Sequence, residues 1–71
     1  MTVESEVVFD DRIGRWRVDL YKYDGTDWML DREVGTFSTK KRARSAAEEA
    51  ARGGSVYLEQ RDGSLDRRYP A

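Results

Sequence analysis

The sequence predicts a small α+β domain: an antiparallel sheet in the chain order β-β-β-α-β-β, with one alanine-rich helix packed on one face. Three observations carry this expectation. Residues 15–23 alternate apolar and polar side chains with the period of a strand. Residues 40–52 place Ala43, Ala46, Ala47 and Ala50 at helical spacing. The pairs Asp24-Gly25 and Asp62-Gly63 each divide two strand-like segments, as hairpin turns do. With 71 residues the chain has material for one hydrophobic core, so residues 1–71 are read as a single domain.

Taken in order, Glu6-Val7-Val8-Phe9 reads as a short first strand, closed by Asp10-Asp11 and a turn through Gly14. In residues 15–23, Trp16, Val18 and Leu20 share one face, and Arg15, Arg17, Asp19, Tyr21 and Tyr23 share the other. Residues 28–33 repeat the pattern with Trp28 and Leu30 directed inward, and residues 34–37 prolong the strand towards the helix. A two-residue loop at Asp24-Gly25 would pair Tyr21 with Trp28 and split the apolar face. A loop of odd length, pairing Leu20 with Leu30 and Lys22 with Trp28, keeps that face whole, so a three- or five-residue loop is expected.

Ser38 or Thr39 can cap the helix at its start, and Gly53-Gly54 ends it. An alanine stripe lets the helix lie close to a sheet bearing the bulky Trp16, Trp28 and Phe37. Residues 55–61 and 64–69 then form a second hairpin. A tight turn at Asp62-Gly63 would pair Leu58 with Arg67, Val56 with Tyr69 and Gln60 with Leu65, so that Val56, Leu58, Leu65 and Tyr69 share a face. Arg67, Arg68 and Pro70 would blunt the last strand at a sheet edge.

Composition narrows the function. The chain has no histidine and no cysteine, which removes most nucleophile–base pairs, thiolate metal sites and disulfides. The acidic run Asp24, Asp27, Asp31 and Glu33 lacks the spacing and glycine of a calcium loop and suits a solvated hairpin tip. The expectation is a non-enzyme that uses no cofactor and no metal. Apolar runs are far too short for a membrane span, and Met1-Thr2-Val3-Glu4 lacks a basic leader, so a cytoplasmic protein with no membrane partner is expected.

Formal net charge is −1. Residues 1–35 carry five basic and nine acidic side chains, net −4; residues 36–71 carry eight and five, net +3. The balance argues against global steering of nucleic acid, while the asymmetry points to localised contacts with partners.

Two candidate surfaces follow. At the helix start, Lys40, Lys41, Arg42 and Arg44 crowd the positive end of the helix dipole, with Glu48 and Glu49 towards its negative end. Free backbone N–H groups beside basic side chains suit a phosphate or carboxylate. A solvated surface accounts for them too, with Arg44–Glu48 and Glu48–Arg52 at i,i+4 spacing offsetting a misplacement of ~0.3–1 kcal/mol per charge. On the outward sheet face, Arg15, Arg17, Tyr21 and Tyr23, joined by Tyr57 and Arg68, offer guanidinium and phenol groups of the kind that single strands dock against. Asp19, Glu59 and Asp66 among them also suit an ordinary solvated sheet. Trp16 and Trp28 are read as core aromatics.

The segments Trp28-Met29-Leu30-Asp31-Arg32-Glu33 and Thr36-Phe37-Ser38-Thr39-Lys40, the alanine-rich helix and the closing Val56-Tyr57-Leu58-Glu59-Gln60-Arg61-Asp62-Gly63 resemble a small bacterial family, the domain of unknown function 2188. The likeness covers residues 15–69, and this chain departs from it in a longer, more acidic N-terminal portion. The family brings no active site with it. Gly14-Arg15-Trp16-Arg17 and Gly35-Thr36-Phe37-Ser38-Thr39, followed by the helix, look like the plant ethylene-response DNA-binding domain, and phage integrase arm-binding domains share its layout. That resemblance implies Arg12, Arg15 and Arg17 as groove-reading side chains, whereas Asp31 and Glu33 stand where such a sheet prefers Lys or Arg. The sequence therefore points to a non-catalytic interaction module for a protein or an acidic, phosphate-bearing partner. Nucleic acid is the alternative, and an uncovered strand edge could pair with a second copy.

Overall fold

The computed structural model describes residues 2–59, 63 and 65–67, the last three by their backbone. Its elements are β1 (Thr2–Asp10), β2 (Arg15–Tyr23), β3 (Trp28–Phe37), α1 (Lys40–Ala51), β4 (Ser55–Glu59) and β5 (Leu65–Arg67). The molecule is a small α+β domain with one helix on a single sheet. The wholly antiparallel expectation is corrected. The strands lie in the order β3-β2-β1-β4-β5, with β1 antiparallel to β2 but parallel to β4, so the sheet is mixed. Parallel neighbours need a crossover connection, and here β2, β3 and α1 together supply it.

β1 is central and runs nine residues rather than four. Its N-terminal half escapes an apolar scan because Ser5 occupies an inward position. Ser5 is fully buried, and its hydroxyl donates 3.0 Å to the Ala47 carbonyl of the helix, which satisfies a polar group that would otherwise be costly inside. On the same face Ser5 pairs with Val56 and Val7 with Leu58. Val7, Val18, Val56, Leu58, Ala43, Ala47 and Ala51 form the buried core, with Trp16, Val34 and Phe37 packed at its margin.

Thr39 caps α1, its hydroxyl accepting the Arg42 amide at 3.2 Å. Arg52 adopts the left-handed conformation (φ 50°), and its amide donates to the Glu48 carbonyl, closing the helix one residue earlier than the alanine spacing suggests. Gly54 follows where the chain passes β1: a β-carbon there would lie 2.2 Å from the Val3 carbonyl oxygen, so only glycine fits.

Two register expectations are also corrected. In the β2–β3 hairpin, Tyr23 pairs with Trp28, Lys22 with Met29 and Tyr21 with Leu30, around the four residues Asp24-Gly25-Thr26-Asp27. An even loop is favoured because the Asp24 carboxylate accepts the amides of Thr26 and Asp27, each at 2.8 Å, while Gly25 takes φ 100°. Trp28 and Leu30 therefore face away from the helix. The core keeps its share of β3 through two irregularities, between Leu20 and Tyr21 and between Val18 and Asp19. Each gives β3 one extra residue, Asp31 and then Val34, and the alternation shifts until Phe37 pairs with Trp16 on the helix side. In the second hairpin Tyr57 pairs with Arg67, Leu58 with Asp66 and Glu59 with Leu65, one residue away from the expected register. The proposed roles of Gln60, Arg68, Tyr69 and Pro70 lie outside the described residues.

Candidate functional site

The helix-start cluster separates into engaged and open side chains. Lys40 donates from Nζ to the Glu59 carbonyl at 2.8 Å and lies 5.3 Å from the centroid of the Trp16 ring, tying α1 to β4 and β2. Arg44 pairs with Glu48 at 3.1 Å along the helix. Lys41 and Arg42 are exposed on the first turn.

On the face opposite the helix, the structure brings Arg15, Arg17, Tyr21 and Tyr23 together along β2, with Tyr57 two strands away on β4. Arg68 lies outside the described residues. The arginines are engaged with the protein itself. Arg15 donates to the hydroxyl and carbonyl of Thr36, each at 3.2 Å. Arg17 bridges two carboxylates, reaching Asp10 at 2.9 Å and Asp19 at 3.1 Å. Arg12 also bonds Asp10, which holds the Asp10 carboxyl below its ordinary range; the Arg12 side chain is the main cause, with the Arg12 amide and Arg17 adding to it against burial.

Towards the other end, the same face becomes aromatic and acidic. The ring centroids of Tyr23 and Trp28 are 5.3 Å apart. Trp28 and Leu30 on this face are 43 and 58% exposed, so the second tryptophan is a surface residue rather than the core aromatic expected from alternation; Met29, between them, takes the other face with Lys22. A shallow groove runs between Trp28 and Tyr57, with Thr2, Glu4 and Ser55 along it. Glu6 sits beside it, its carboxyl raised above the ordinary range first by burial and then by the negative charges of Asp19 and Glu4. Tyr21 is raised likewise, by burial and then by Glu6 and Asp19. Among the described residues no cation forms an ion pair with Glu4 or Glu6.

Glu4, Trp28 and Leu30 were absent from the sequence-derived surface. The signal that locates Trp28 is local: Asp24-Gly25-Thr26-Asp27 is an aspartate-capped turn, which fixes an even register. Glu4 becomes visible once β1 extends to Thr2, since Glu4 then pairs with Tyr21. What the arrangement offers chemically is flat aromatic surface beside carboxylates. Among the described residues no cluster of three or more acidic side chains could hold a metal ion, and no helix is long and apolar enough to cross a membrane. Comparison with protein-family models, curated proteins and solved structures gives no significant match to this chain.

Proposed function

We propose that the protein is a non-catalytic interaction module that binds a protein partner through the outer face of its sheet, at the end formed by the β2–β3 hairpin. The observation that carries this reading is the exposure of Trp28 and Leu30 beside Tyr23 on the outer face of one hairpin. Contiguous exposed apolar side chains cost solvation in a free domain and are relieved by a docked surface. Tryptophan and tyrosine are the side chains that anchor such contacts most often.

Nucleic acid and other polyanions find less on this face. Arg15 and Arg17 are bound to Thr36, Asp10 and Asp19, and Glu4 and Glu6 stand with the tyrosines. At the helix start, Lys40 and Arg44 are also engaged, which leaves Lys41 and Arg42. Peptide selection on the immobilised protein, followed by rebinding to variants, tests the reading. Selected peptides should lose binding with Trp28→Ala and keep it with the double change Lys41→Ala and Arg42→Ala. The opposite pattern, or amide shifts confined to Lys41 and Arg42 on adding short DNA, RNA or polyphosphate, would replace it with an anion-binding module.

A further inference from the structure

The groove between Trp28 and Tyr57 differs from the rest of the outer face. Elsewhere on that face the described guanidinium groups are matched within the protein: Arg17 between Asp10 and Asp19, and Arg15 on Thr36. In the groove the order is reversed. Two aromatic rings and a carboxylate, Glu4, line it, and no ion pair reaches Glu4 among the described residues. Strand pairing places Glu4 beside Tyr21 and Ser55, and Glu6 beside Asp19 and Tyr57, so a second row of carboxylates adjoins the first.

We infer that this groove takes an arginine side chain of the partner, its guanidinium held on the Glu4 carboxylate and flanked by the rings of Trp28 and Tyr57. The inference rests on the outer-face reading above and supplies the chemistry of the partner. Charge complementarity decides the occupant. Glu4, Glu6 and Asp19 bring negative charge to this end of the face, and among the described side chains Arg17 is shared between Asp10 and Asp19. Burial first, and then the negative charges of Asp19 and Glu4, hold the Glu6 proton to higher pH than in an ordinary glutamate, against the opposing charge of Arg17. A planar guanidinium stacks on aromatic faces and forks onto a carboxylate, which a compact ammonium does less well. The small polar side chains of Thr2 and Ser55 also line the groove.

The test is an amide and indole NMR titration of the whole chain with four capped pentapeptides, Gly-Ser-X-Ser-Gly, where X is arginine, lysine, neutral citrulline or glutamate. The arginine peptide is expected to shift the Trp28 indole N–H and the amides of Glu4 and Tyr57 saturably. Glu4→Gln in the protein, or citrulline in the peptide, should weaken binding about tenfold, as loss of a charged hydrogen bond does. Trp28→Ala should weaken it at least as much while leaving the core amide shifts of Val7, Val18 and Val56 in place, and Trp28→Leu provides a second variant that retains bulk. Equal binding of citrulline or lysine, insensitivity to Glu4→Gln, or shifts elsewhere would overturn the arginine assignment. If selected apolar peptides bind this face with no advantage for arginine, the partner chemistry falls and the docking reading stands; if nothing shifts Trp28, both fall.

Discussion

Asp10 shows how much one side chain organises at the start of β2. Its carbonyl accepts the amides of Ile13 and Gly14, and its carboxylate accepts Arg12 and Arg17. Because the folded carboxyl is depressed, its contribution to stability is present above the unfolded value and is lost as pH falls through the folded one. Carboxyl NMR should therefore place its titration midpoint below the ordinary ~3.9, with Arg12→Ala returning it towards that value. Glu6 has the opposite sign. Its raised folded value means that ionisation opposes folding, so stability declines as pH rises from the ordinary ~4.3 through the folded value. Glu6→Gln should remove that decline and stabilise the protein at neutral pH by a few tenths of a kcal/mol, on the order of a surface charge effect, read by thermal melts at several pH values. Ser5→Ala should destabilise by about 0.5–1.5 kcal/mol, the net worth of the lost hydrogen bond to Ala47, measured by urea unfolding.

Among the elements, α1 and β2 were legible from residue order because each carries an uninterrupted period: alanines at helical spacing and Trp16-Val18-Leu20 at strand spacing. β3 was legible as a strand and illegible in register. Its two extra residues, Asp31 and Val34, break the rule of two on which the inward placement of Trp28 and Leu30 depended. The N-terminal half of β1 is illegible from residue order because Ser5 is polar at an inward position, where only the Ala47 carbonyl of the helix satisfies it. The α1–β4 junction gives a sharp test of the packing. A β-carbon at Gly54 would meet the Val3 carbonyl, a backbone atom held in the central strand, so Gly54→Ala should cost about 1–3 kcal/mol in the urea midpoint. Gly53→Ala should act differently, through its φ of 90° rather than through a contact, as nothing lies within 4 Å of its added carbon.

At the scale of the whole molecule, the crossover that makes β1 and β4 parallel was not deducible from local pattern, because pairing between distant segments leaves no period in the chain. The same crossover decides which surface is free. With α1 covering one face of β2, β1 and β4, the other face is left to Arg15, Arg17, Tyr21, Tyr23 and Tyr57, and to the unforeseen Glu4 and Trp28. The sheet edge at β3 is interrupted by its bulges, which discourage strand-to-strand pairing with a second copy. The functional reading depends above all on Trp28 lying on the face away from the helix, and nuclear Overhauser contacts of its indole test this directly. The expected contacts run to the Tyr23 ring and the Thr2 methyl; contacts to the methyls of Val18, Ala47 or Leu20 would place Trp28 in the core and contradict the account.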